Sequence, residues 1–151
     1  MPSISEIEDA IIGRLSAAVE YLKACGSLSE FLGRDLEAIE EISPLCPAAY
    51  VVYRQGTFLQ KISGFEDREM ILGVLAVVRN VRGQVAVRHG RGGEKGAYEV
   101  LEDIRAALSG QTCGVEMQPL VPLSESAVTG AGDLAVYEIL FRTVCRIVQG
   151  A

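Results

Sequence analysis

The longest apolar run in this 151-residue chain lies at Met70–Val78. Its nine residues do not alternate with polar ones, which is typical of a strand covered on both faces of its sheet. The run is far shorter than the ~20 residues that a membrane-spanning helix needs. We therefore expect a central strand over Glu69–Arg79, with the rest of the chain arranged around the sheet that contains it.

Three further segments favour extended structure. Ala48–Tyr53 is short and rich in β-branched and aromatic residues, which predicts a strand followed by a turn at Gly56. Leu134–Val148 fits helical spacing and strand alternation equally well, and its β-branched and aromatic content favours a strand. Two prolines restrict Met117–Leu123 to an edge strand or an extended loop, because proline has no N–H to donate.

Two segments have the spacing of amphipathic helices. The first begins near Ser3, where a hydroxyl and a glutamate three residues later are typical of a helix start, and it is expected to end at Gly26. The second covers residues 97–108 and is closed by Gly110. Asp35–Ile42 favours a short helix or turn. The residues that carry the two apolar stripes are Ile4, Ile7, Ile11, Leu15, Val19 and Leu22 in the first helix and Ala97, Leu101, Ile104 and Leu108 in the second.

The order helix, strands, helix, strands predicts an α+β fold, with a mixed or antiparallel sheet and helices packed on one face. A chain of this length buries roughly 68–70% of the surface that its unfolded form exposes, which is enough for one core without metal or disulfides. No repeat or linker divides it. We expect a single domain over residues 1–151.

Chemical motifs are weak throughout the chain. The four cysteines are widely scattered among apolar neighbours, which favours reduced thiols over a metal or redox site. His89 is the only histidine, so a cluster of histidines is excluded. Residues 80–96 are rich in glycine, which indicates a connecting loop, with a short extended piece expected at Val85–Val87. Gly90–Gly96 matches neither the P-loop motif nor the G-x-G-x-x-G motif, the two common glycine-rich motifs that bind nucleotides. We predict no catalytic, cofactor-binding or metal-binding residues.

Charge is unevenly distributed along the sequence. The net charge of −6 does not favour adsorption to nucleic acid or anionic membrane. Residues 79–96 carry five basic residues against one acidic residue, whereas residues 30–41 carry five acidic residues against one basic residue. These segments are either two unrelated solvated regions or complementary surfaces on neighbouring copies, with candidate contacts at Arg79, Arg82, Arg88, Arg91, Glu37, Glu40 and Glu41.

The basic segment also permits a different hypothesis, in which residues 79–96 form a nucleic-acid-binding module that contacts phosphates. Few aromatic residues lie near it in the sequence, so stacking on bases is not expected. The N-terminus begins Met1-Pro2-Ser3 and enters a charged amphipathic segment directly, unlike a signal peptide, so we expect folding in the cytoplasm.

Four stretches together resemble a known family, the small tail proteins of Mu-like phages and prophages, which is similar in role to the tail terminators of lambda-like phages. The stretches are Ile4–Leu15, Val77–Gly83, Gly96–Gly110 and Val136–Phe141.

The resemblance implies a tail-terminator-like fold and a structural role without catalysis or cofactor. Such a protein forms a homo-oligomeric ring, expected to be hexameric, that caps the head-proximal end of the tail tube. Its implied partners are tail-tube and head-completion proteins, with DNA passing nearby and no membrane. It would assemble in the cytoplasm of the host bacterium and end in the virion tail.

Overall fold

Five strands form one mixed sheet in the order β1-β2-β3-β5-β4. β1 is parallel to β2, and every other neighbouring pair is antiparallel. The computed structural model describes residues 2–28, 46–62, 65–80, 83–90, 95–131 and 134–148. The elements are α1 (Ile4–Ala18), β1 (Ala24–Ser27), β2 (Ala48–Ile62), β3 (Phe65–Arg79), α2 (Gln84–His89), α3 (Ala97–Leu108), β4 (Val121–Ala131) and β5 (Leu134–Val148).

β3 is the central strand, as its uninterrupted apolar run predicts. It pairs with β2 on one side and with β5 along its whole length on the other. Leu72 and Val74 face the helices, and Leu75 and Val77 face the opposite side; all four are buried. A non-alternating sequence is therefore explained by burial of both faces.

The helices pack on one face of the sheet, so the predicted α+β class is confirmed. Ser3 accepts a hydrogen bond from the Glu6 N–H at 3.1 Å and caps α1. The apolar stripe of that helix is buried at Ile7, Ile11 and Leu15. The main core joins this stripe to that of α3 and to the helix-facing residues of the strands, including Met70, Ala76, Ile104, Leu108, Ile139 and Phe141.

A second, smaller cluster lies on the face of the sheet that points away from the helices. Its buried members are Cys46, Ala48, Tyr50, Leu75, Val77, Leu134 and Val136. All four cysteines are free; two are buried and two are half-buried. No helix among the described residues is long and apolar enough to cross a membrane.

The first helix ends much earlier than Gly26. α1 stops at Ala18, and Ala24–Ser27 instead forms the short strand β1 beside Ala48–Val51. The Lys23 N–H donates to the Pro47 carbonyl at 2.8 Å and starts this pairing. Long-range strand pairing therefore overrides the helical spacing after Val19, which is itself buried.

The expected turn at Gly56 is wrong. Gly56 pairs with Met70, and the hairpin between β2 and β3 continues to the pair Ile62 and Phe65. The sequence does not predict that β2 continues past Tyr53, because the residues that follow are mostly polar and form a strand that is largely exposed.

The extended piece expected at Val85–Val87 is also wrong, because Gln84–His89 forms α2. The Val87 N–H donates to the Gly83 carbonyl at 2.9 Å, and this helical turn buries the Val87 side chain completely. The expected helix or turn at Asp35–Ile42 lies outside the described residues.

The expected edge strand exists but begins and ends later than Met117–Leu123. β4 spans Val121–Ala131 and contains Pro122. Its pairing with β5 is irregular at two places, between Pro122 and Ser124 and between Ala127 and Thr129. The predicted strand at Leu134–Val148 and the predicted helix at residues 97–108 are confirmed.

Candidate assembly surfaces

Two of the seven predicted interface residues lie in the described part of the chain. Arg79 is exposed at the end of β3, opposite Leu134 of β5. Arg88 is half-buried near the end of α2, and its Nε has no hydrogen-bond partner within the part of the chain that the structure describes. The other five, Arg82, Arg91, Glu37, Glu40 and Glu41, lie outside the described residues.

Aromatic side chains gather next to Arg88, contrary to the expectation from sequence. The ring centroids of His89 and Tyr98 are 5.0 Å apart, and those of Tyr98 and Tyr137 are 5.8 Å apart, both edge to face. Burial and the hydrogen bond with Tyr98 raise the pKa of Tyr137, and the Arg88 charge partly opposes this rise. The sequence does not show this cluster, because Tyr137 lies far from Arg88 and Tyr98 along the chain and is brought beside Tyr98 only by the position of β5.

The N-terminal end of α3 is occupied by the protein itself. A side chain at Gly96 would collide with the backbone of residues 88–90, so close approach explains the glycine. Lys95 is 3.5 Å from the Glu99 carboxylate and lies 5.3 Å from the centroid of the Tyr21 ring. These contacts account for the glycine and the lysine without a bound phosphate.

Cross-strand ion pairs form a stripe on the face of the sheet away from the helices. Arg54 of β2 reaches Glu138 of β5 at 2.7 Å across Gly73. Farther along, Glu69 pairs with Arg142 at 2.8 Å. The third pair is Asp67 with Arg146, at 3.0 Å. The stripe is neutral as a whole, since each of these charges is matched by the opposite charge on another strand.

A family model matches most of the chain. The model described as "Bacteriophage Mu, Gp37" matches residues 3–144. The chain belongs to the Mu Gp37 family. This membership makes it a Mu-like phage protein with a structural, tail-related role, and the resemblance found in the sequence is confirmed. No curated protein sequence matches the chain.

Burial favours the neutral forms of several thiols and phenols of this Gp37-family protein. Burial raises the pKa of the thiols of Cys25, Cys113 and Cys145, which opposes formation of the nucleophilic thiolate. The Tyr21 hydroxyl donates to Asp103 at 2.6 Å, and burial together with that carboxylate raises the pKa of Tyr21. Among the described residues, no group of three or more His, Cys, Asp or Glu side chains could hold a metal ion.

Proposed function

We propose that this Gp37-family protein is a tail terminator: copies form a ring that caps the head-proximal end of the tail tube. The ring stops addition of tube subunits and presents a surface to head-completion proteins. The observation that carries the proposal is the match of residues 3–144 to the Mu Gp37 family.

Segregated charge supports contacts between copies. We place the basic segment of one copy against the acidic segment of the next, which gives a head-to-tail contact that closes into a ring. The residues proposed for the contact are Arg79, Arg82, Arg88 and Arg91 on one side and Glu37, Glu40 and Glu41 on the other.

The proposed location follows from the proposed role. The protein assembles in the host bacterial cytoplasm and remains in the virion tail, where DNA passes through the ring. A net charge of −6 supports passage, since an attractive lumen would retard the DNA. No cofactor takes part.

Electron microscopy of tails made without the protein tests the proposal. Tails should then grow beyond their normal length and remain without heads, and the wild-type gene should restore both features. Arg88→Glu should restore them poorly, whereas Lys23→Glu, the same charge change at an exposed position on the α1–β1 connection, should restore them fully. Tails of normal length in the absence of the protein would reject termination.

One observation favours a second candidate, a nucleic-acid-binding module built on residues 79–96. Tyr98 is 38% exposed beside His89 and Arg88, so an unpaired base could stack on its ring. This candidate requires DNA binding that weakens as salt concentration rises. The absence of a mobility shift with single-stranded or duplex DNA at low salt would remove it.

A further inference from the structure

Two edges of the sheet have no partner strand among the described residues. β4 is the last strand on one side. On the other side β1 pairs only with Ala48–Val51, so the rest of β2, which includes Tyr53–Ile62, has no outer neighbour in the described chain. We call this segment distal β2. Each such edge presents backbone N–H and C=O groups that can pair with another strand.

Exposed apolar side chains are concentrated on these two edges. Phe58 on distal β2 is 60% exposed, and Val121, Leu123 and Val128 on β4 are 48%, 49% and 38% exposed. Among the described residues only one other large apolar side chain, Tyr98, is exposed. Three of the four side chains on these edges lie along β4, which makes that edge the more apolar of the two and a candidate surface for contact with another protein.

The two edges carry few charges. On distal β2 Arg54 is paired with Glu138 of the same chain, and on β4 the one charged residue, Glu125, lies 3.7 Å from Arg105 of α3. Lys61 is the other basic residue of distal β2. β4 has no lysine, and its protection against pairing with another strand consists of Pro122 and the two irregularities in its pairing with β5. Pro122 has no N–H, so pairing along β4 would begin at Leu123 and use the regular stretch Ser124–Ala127.

We propose that β4 of one copy pairs with distal β2 of the next, so that one sheet continues from subunit to subunit. This inference rests on the ring proposed above and names the strands that join it. Within one sheet β4 runs opposite to β2, because β2 and β5 share a direction and β4 is antiparallel to β5. Copies in the same orientation therefore meet in antiparallel pairing, which is the more stable kind.

The register of the sheet sets how far neighbouring copies are displaced. Across the sheet, Ser126 of β4 pairs with Glu138 of β5, Glu138 pairs with Leu75 of β3, and Leu75 pairs with Tyr50 of β2. Ser126 therefore lies at the same height along the strands as Tyr50, in the first half of β2. Pairing Ser126 with Thr57 of the next copy requires an offset of about seven residues, or ~23 Å along the strand. Because β1 lies beside Ala48–Val51 and not beside distal β2, the sideways step from one distal β2 to the next is four strands, or ~19 Å.

These two distances correspond to strands tilted by about 50° from the ring axis, slightly steeper than the ~35–45° found where a sheet closes on itself. A symmetric contact between two β4 strands would instead yield only a dimer. It would also leave distal β2, with Phe58, uncovered.

Cross-linking of the purified full-length chain tests the pairing. Ser126 and Thr57 are exposed on the face away from the helices, so Ser126→Cys and Thr57→Cys place thiols on the same side of the proposed junction. With a short bismaleimide cross-linker, the double variant should give a ladder ending at the ring, and mixed single variants should give dimers only. The wild-type chain, with its four native cysteines, is the control. A double variant that stays monomeric, or Ser126→Cys alone giving dimers, would overturn the proposal.

Sedimentation of charge variants gives an independent readout. Leu123→Lys and Phe58→Lys should each weaken self-association about tenfold or more, because each buries an ammonium group in the junction. Ala17→Lys, the same added charge at an exposed position on α1, should leave it unchanged. Equal behaviour of all three variants would refute edge pairing. A chain that forms the ladder while tails without it keep normal length would refute termination and retain the edge pairing.

Discussion

Gly73→Ala tests how tightly the ion-pair stripe is packed. Gly73 lies between Val52 of β2 and Leu140 of β5 in the middle of the sheet. A Cβ there would collide with the Glu138 carboxylate and lie 3.2 Å from Cγ1 of Val52. Glu138 has little room to move, since its side chain is only 13% exposed and Arg54 holds it at 2.7 Å.

The expected magnitude follows from three contributions. Overpacking in a well-packed region costs about 1–3 kcal/mol. Loss of a partly exposed ion pair adds up to about 1 kcal/mol. Replacing glycine where alanine fits the backbone returns about 0.4–1 kcal/mol through the unfolded state. The free energy of unfolding should therefore fall by about 1–2 kcal/mol.

Urea unfolding of four proteins isolates the cause: the wild type, Gly73→Ala, Glu138→Ala and the double variant. Once Glu138 is shortened, Gly73→Ala should cost less than about 0.5 kcal/mol, which gives a coupling energy of about 1 kcal/mol or more. Gly13→Ala is the matched control, because nothing lies within 4 Å of a Cβ at that exposed helical position, and it should stabilise the chain by about 0.5–1 kcal/mol. An equal cost of Gly73→Ala in both backgrounds would refute the reasoning.

Three further predictions concern stability. Ser3→Ala removes the cap of α1 and should lower the free energy of unfolding by about 1 kcal/mol in urea titrations, whereas no loss would mean that the hydrogen bond to the Glu6 N–H contributes nothing. Phe141→Ala should cost about 3–5 kcal/mol in the same assay, because its side chain is buried in the main core; a cost under 1 kcal/mol would contradict that placement. Burial and Asp103 raise the pKa of Tyr21 above its ordinary value of 10.0, so the folded chain holds the phenolic proton more tightly, and stability should fall as pH rises above 10. Tyr21→Phe should make that fall shallower in thermal melts recorded between pH 8 and 11, and parallel curves for the two proteins would contradict it.

Segments whose local pattern agrees with their final environment could be predicted from sequence. Met70–Val78 is apolar throughout because both faces of β3 are covered, and the stripe Ala97, Leu101, Ile104 and Leu108 is helical because one face of α3 meets the sheet. The apolar spacing of Leu134–Val148 fits a helix and a strand equally well, and its β-branched and aromatic residues correctly favoured the strand.

The errors arose where distant contacts decide the structure. Ala24–Ser27 is a strand because Ala48–Val51 lies beside it, and no local pattern records that neighbour. The helical turn Gln84–His89 is too short to show apolar periodicity, and among its described side chains Val87 is the one that belongs to the main core.

The candidate surfaces were harder to predict than the fold. Charge segregation indicated Arg79 and Arg88, but the approach of Tyr137 to Tyr98 depends on the fold. Likewise, Phe58 and Leu123 become edge residues only through the strand order of the sheet. Sequence separation hides both relationships.

The number of copies per tail tests the central claim most directly. Quantitative mass spectrometry of purified tails, including tails lengthened or shortened by altering the tape-measure protein, would compare this protein with the tube subunit. A terminator at one end predicts a constant number of copies per tail, whatever the tail length. A number that grows in proportion to length, or the absence of the protein from finished tails, would contradict the account.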